Sequence, residues 1–198
     1  SAFLFFFGGC TANLMNRPVY VESSIKPPVT QMDLVISRVD FRSSNYVAAS
    51  PLYLSGLGLS LRNALQSSGA FRKILLRQPS DSPEIPLYAD VSIQAREDGG
   101  AGWYWLVAWP AILPMPGYWP VQPRIGSVSV QISVFLYRDS RYVGYINIHR
   151  SAEYSIYFYS FFRTAPIEDA IKGCYEQAFD ELSRKMRMFA LQLEEAQP

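Results

Sequence analysis

The sequence predicts an α/β chain, more closely an α+β sandwich, in which a mostly antiparallel sheet of about five strands is covered by two helices and interrupted by a Trp/Pro-rich insertion. Three observations carry this. "LYADVSIQAR" and "SVSVQISVFLY" alternate apolar and polar residues with period two, as strands with one buried face do. The closing stretch "APIEDAIKGCYEQAFDELSRKMRMFALQLEEA" repeats apolar residues at helical spacing. The 198 residues suffice for one packed domain and would crowd two.

The elements are justified in chain order. "SAFLFFFGGC" is an apolar run that stops at Gly8, Gly9 and Cys10, too short to span a bilayer, which takes about 20 apolar residues. Residues 11–28 carry Pro18, Pro27 and Pro28 with no sustained periodicity and read as a tether. The single domain is expected over residues 29–198. Its first strand, "VTQMDLVISRVDFR", sets Met32, Leu34 and Ile36 on one face and Asp33, Val35 and Ser37 on the other.

A helix follows, with Leu54, Leu57, Leu61, Ala64 and Leu65 at helical spacing and Gly69 as its stop. "FRKILLRQ" returns as a short strand. In the two alternating strands, Leu87, Ala89, Val91, Ile93 and Ala95, then Val128, Val130, Ile132, Val134 and Leu136, are expected inward. Ser127, Ser129, Gln131 and Ser133 occupy the opposite face, which is wetted or covered by a polar partner. Asp139 and Ser140 supply a turn, and "RYVGYINIHR" pairs back with Gly144, Ile146 and Ile148 toward the core. The last helix, about residues 166–196, has Pro166 near its start and Glu168 and Asp169 in its first turn. Its apolar stripe runs through Ile167, Ile171, Cys174, Ala178, Leu182 and Met186, then Phe189 and Leu193.

The insertion, residues 101–124, holds Trp103, Trp105, Trp109 and Trp119 with Tyr104, Tyr118 and five prolines. Repeated proline prevents a regular helix or central strand. Three readings stay open: a segment folded over the sheet to complete the core, a protein contact surface, or a membrane contact. The candidate interaction residues are Trp103, Trp105, Trp109, Tyr118 and Trp119. A second aromatic run, "AEYSIYFYSFFR", is expected to pack in sheet and helix, with a sugar-stacking platform as the functional alternative.

Composition narrows the function. A net charge of +1 without clustered Lys and Arg excludes a nucleic-acid footprint. The two cysteines, Cys10 and Cys174, form no C-x-x-C pair, so neither zinc nor redox chemistry is expected, and Cys174 reads as a buried free thiol rather than a disulfide partner of Cys10. His149, the sole histidine, stands in "INIHRSAEY" with no nucleophile motif in view. Gly56 and Gly58 in "SGLGLSL" lack the third glycine and the Lys-Ser/Thr pair of a phosphate loop. Glu153, Glu168 and Asp169 are more simply surface and helix-dipole acids than paired catalytic carboxylates. No enzyme, cofactor or metal is expected.

Two resemblances extend the reading. "FGGC" closing an apolar run resembles the lipobox of bacterial lipoproteins, with Phe7 where leucine is commonest and without a basic start. The resemblance implies cleavage before Cys10 and lipidation of its thiol. Thr11 and Ala12 after it, with no Asp beside the cysteine, imply delivery to the periplasmic face of the outer membrane. "LGLSLRNALQSSGAFRKIL" is similar to the helix–stop–strand pattern of the periplasmic domains of the curli-secretion lipoprotein, the Pel polysaccharide-export lipoprotein and the TolB amino-terminal domain, over about residues 30–95. It implies a non-enzymatic, oligomeric part of an envelope machine, in contact with envelope-complex proteins. The other expectation is an auxiliary lipoprotein of a lipid or solute transport system, holding an apolar ligand between sheet and helix.

Overall fold

The computed structural model describes residues 26–43, 51–77, 87–99, 124–156 and 165–195. Cys10, most of the tether, the insertion up to residue 123 and the aromatic run from Tyr157 to Arg163 lie outside the described residues.

Strand β1 (Asp33–Ser43) leads to helix α1 (Pro51–Ser67), strand β2 (Lys73–Leu76), strand β3 (Leu87–Gly99), strand β4 (Arg124–Arg138), strand β5 (Arg141–Ile156) and helix α2 (Ala165–Glu195). The five strands form one sheet in the order β2-β1-β3-β4-β5. The sheet is mixed, which corrects the expectation of mostly antiparallel pairing: β1 runs parallel to both β2 and β3, and only β3–β4 and β4–β5 are antiparallel. The cause is α1. A 17-residue helix carries the chain about 25 Å back along β1, so β2 has to start at the end where β1 starts and run parallel to it. Period-two alternation identifies a strand but carries no information on its direction.

Gly69 ends α1 as expected. Its φ of +64° is a left-handed conformation that glycine adopts without strain. A side chain there would run into the carbonyl oxygens of Lys26 and Pro27, because the chain entering the domain lies against this stop. Lys26 N–H donates to Ser67 C=O at 3.0 Å and Val29 N–H to Gly69 C=O at 2.9 Å. Asp139 and Ser140 form the β4–β5 turn with φ of 47° and 63°, the pair of positive values that a two-residue hairpin needs.

The core lies between the sheet and the two helices. All the inward residues expected on β3 and β4 are buried, and Val128, Val130, Ile132, Val134 and Leu136 are exposed by no more than 1%. On α2 the buried stripe is wider than the sequence reading, since Tyr175, Phe179 and Ala190 join Cys174, Leu182 and Met186 in it. Phe189 packs on Gly144, where any side chain on β5 would collide with its ring. The Arg150–Glu181 ion pair ties α2 to β5, as does Lys185, which pairs with Glu181 at 3.0 Å within the helix and donates to Asn147 C=O at 3.1 Å.

Candidate interaction surface

Each strand has one face in the core and one outside. On the outside face, register aligns Val35 of β1 with Leu75 of β2 and Tyr88 of β3, Tyr88 with Tyr137 of β4, and Tyr137 with Tyr142 of β5. This row of apolar and aromatic side chains crosses all five strands. The Tyr88 and Tyr137 rings stack with centroids 4.9 Å apart and planes 12° from parallel, and Tyr142 meets Tyr137 edge-on at 6.0 Å. The next row sets Phe135 beside Tyr145 at 4.9 Å. Tyr142, Tyr145 and Phe135 keep 59%, 46% and 38% of their surface in solvent.

Further along the same face the chemistry changes. Ser133 Oγ lies 3.2 Å from the Tyr145 hydroxyl and donates to Asn147 Oδ1 at 3.4 Å, and Gln131 Nε2 donates to the same oxygen at 3.3 Å. Beyond them His149 is exposed on β5, in register with Gln131. Asp98 and Glu153 occupy the far end of this face, while Glu97 turns to the core side and accepts from the Tyr154 hydroxyl at 2.7 Å. Near the aromatic end, Ser37 donates to Asp90, and Arg72 grips Asp33 with two hydrogen bonds of 2.8 Å. That grip holds the Asp33 carboxyl below its ordinary range.

Exposed bases rim the aromatic rows. Lys73 and Arg77 stand at the β2 side and Arg141 at the hairpin, where Arg138 lies 4.0 Å from Asp139. Tyr88, Phe135, Tyr137, Tyr142 and Tyr145 were not singled out by sequence reasoning. The signal was present, because a two-residue turn at 139–140 necessarily brings the tyrosines at 137 and 142 together.

The residues predicted as sites from sequence divide into two groups. Cys10, Trp103, Trp105, Trp109, Tyr118 and Trp119 lie outside the described residues. Cys174 is a free, buried thiol, with Sγ 3.5 Å from Val128 C=O and its ionisation pushed up by burial. Gly56 and Gly58 sit within α1, where Gly58 faces the Leu76 side chain. Glu153 is on β5, and Glu168 and Asp169 open α2. A buried hydroxyl pair, Tyr53 and Tyr175 at 3.5 Å, joins the two helices, with both phenols pushed up by desolvation. Among the described residues no group of three or more His, Cys, Asp or Glu is placed to hold a metal ion, and no helix is long and apolar enough to cross a membrane.

The described residues form a single-sheet α+β fold with both helices packed on the core side of the sheet. A protein-family model matches residues 3–187, and the chain belongs to that family. No curated protein matches the chain. Among solved structures, protein XCC0632 from Xanthomonas campestris shares the fold with a TM-score of 0.55 at 12% identity, covering 90% of this chain and 98% of that one. A neuraminyllactose-binding hemagglutinin homologue from Helicobacter pylori matches with a TM-score of 0.50 at 11% identity, covering 88% and 95%. Bacterial lipoproteins occur among the further matches, such as rare lipoprotein B from Shewanella oneidensis with a TM-score of 0.44 at 10% identity, covering 80% and 99%.

Proposed function

We propose that the protein is a lipid-anchored lipoprotein of the bacterial envelope, held at Cys10 to the periplasmic face of the outer membrane and acting, without catalysis, as an assembly component through contacts with itself or with envelope proteins. The observation that carries the reading is the apolar run ending in "FGGC", followed by a proline-bearing tether that enters the domain at Lys26. The family match across residues 3–187 supports treating leader and domain as one design. Stable anchoring takes two or more acyl chains, the number that lipidation of an amino-terminal cysteine supplies in lipoproteins.

The contact role has its own support. β3 ends at Gly99 and β4 begins at Arg124, whose register partner is Ile156 at the end of β5. The Trp-rich insertion and the second aromatic run are therefore joined to the same end of the sheet. A carrier with an apolar ligand between sheet and helix has less support, because Tyr175, Phe179, Leu182 and Met186 fill that interlayer.

The test is an intact mass spectrum of the protein extracted in mild detergent from its own membranes. A chain starting at Cys10 with added acyl mass, in a high multiple or with partner proteins, is expected. An unlipidated monomer still carrying residues 1–9 overturns the reading. Trp109→Ser and Trp119→Ser are expected to keep the folded circular dichroism signal and lose the larger assembly; loss of the folded signal in both assigns the insertion to the core.

A further inference from the structure

We propose that the hairpin end of the domain docks on the anionic lipid surface to which the anchor ties it, through the open-face row of Tyr88, Tyr137, Tyr142, Phe135 and Tyr145. The inference rests on the lipoprotein reading for the anchor and adds which end of the domain meets the lipid.

Three independent placements converge. The row leaves tyrosine and phenylalanine rings partly exposed on one face of the sheet, and a tyrosine's apolar ring and polar hydroxyl suit an interface that is apolar on one side and wet on the other. Lys73 and Arg77 flank it on the same face of β2, while Arg138 and Arg141, set on the core side by register with Leu87, add positive charge at the hairpin tip, and basic side chains beside a membrane are drawn to anionic headgroups. The tether arrives at this same end, since Lys26 bonds to Ser67 beside the Gly69 stop and β1 begins a few residues later.

Charge falls off along the molecule. Acids at the hairpin end are Asp33, held by Arg72, Asp90, hydrogen-bonded by Ser37, Asp139 beside Arg138, and Glu194 and Glu195 in the last turn of α2. The far end carries Glu97, Asp98, Glu153, Glu168, Asp169 and Glu176 against Arg42, Arg96, Arg124 and Lys172, with Arg96 paired to Asp98 and Lys172 to Glu176. From Tyr142 to Glu153 the strand covers about 36 Å, several times the roughly 8 Å screening length at physiological salt. An anionic surface therefore attracts one end and repels the other.

The tether does not impose this orientation. Cys10 to Lys26 spans up to about 53 Å when extended, enough for the domain to present any side. It does hold the patch at high effective concentration, so that a weak surface suffices to set the pose. The end joined to the Trp-rich insertion then points away from the lipid, toward partners.

The experiment uses the acylated full chain in vesicles of phosphatidylethanolamine and phosphatidylglycerol doped with a headgroup-nitroxide lipid. A fluorophore is attached to Val143→Cys beside the patch or to Ser151→Cys farther along the same strand; Cys10 carries its acyl group and Cys174 is buried. The expected result is severalfold quenching at position 143 and little at 151. Tyr142→Ser with Tyr145→Ser should relieve it, as should Lys73→Gln with Arg141→Gln, exposed changes that leave the core untouched. Equal quenching at both positions, stronger quenching at 151, or quenching at 143 that survives both pairs of substitutions overturns the docking. Absence of quenching on a chain whose mass includes the acyl group refutes the docking and leaves the anchor standing. Absence of acyl mass refutes the anchor and the docking with it.

Discussion

The two faces of the same sheet solve different problems. The inner face of β4 buries five aliphatic side chains, and their burial in one core with Tyr175 and Phe179 of α2 holds the layers together. The outer face of the same strand carries Ser127, Ser129, Gln131 and Ser133, then Phe135 and Tyr137 as the hairpin approaches. Fold stability therefore resides on one side of the backbone and contact chemistry on the other, one residue apart. The difference teaches that an exposed aromatic in this sheet is not misplaced core, because the inner positions beside it are already filled.

Substitution of one ring on each face breaks or sharpens that contrast. Phe179→Ala on the inner side is expected to cost about 3–5 kcal/mol, the scale for emptying a buried aromatic site, read from the urea unfolding midpoint. Phe135→Ser on the outer side should stay within about 0.5 kcal/mol. A comparable loss at Phe135 would mean that the outer face is covered and structural.

Gly69→Ala should come next in size. The positive φ alone costs at least about 1 kcal/mol for alanine, and the new methyl would displace the Lys26 and Pro27 carbonyls. Thermal unfolding measures the sum. Unchanged stability would show that the entering chain is not seated on the α1 stop.

The smallest effect belongs to the Arg72–Asp33 pair at the edge of the patch. The folded-state pKa of Asp33 is lowered chiefly by the hydrogen bond from Arg72. Its contribution is therefore present above the ordinary carboxylate pKa and lost as pH falls through the lowered value. Asp33→Asn should bring a slight fall in stability at neutral pH, and the gap to the natural chain should close on acidification. A gap that persists at low pH would assign the effect to packing instead.

Much of the fold was legible because burial imposes a period. Alternation marked the inward residues of β3, β4 and β5, and the α2 stripe was read over nearly its full length. Gly69 and the Asp139–Ser140 turn followed from backbone chemistry. The aromatic patch was missed for a definite reason: Tyr88, Tyr137 and Tyr142 come from three strands, and only register makes them neighbours. Tyr175 and Phe179 were missed because a helix packed against both α1 and the sheet buries a wider arc than one stripe.

The sequence by itself determined where the described strands and helices lie, which of their faces are apolar, and that an apolar run ends at Cys10, since these depend on local spacing and composition. Only the tertiary structure decided strand direction, the pairing that sets β1 between β2 and β3, and the gathering of tyrosines and bases at one end. Those depend on which residues far apart in the chain come within a few ångströms, and no local period encodes that.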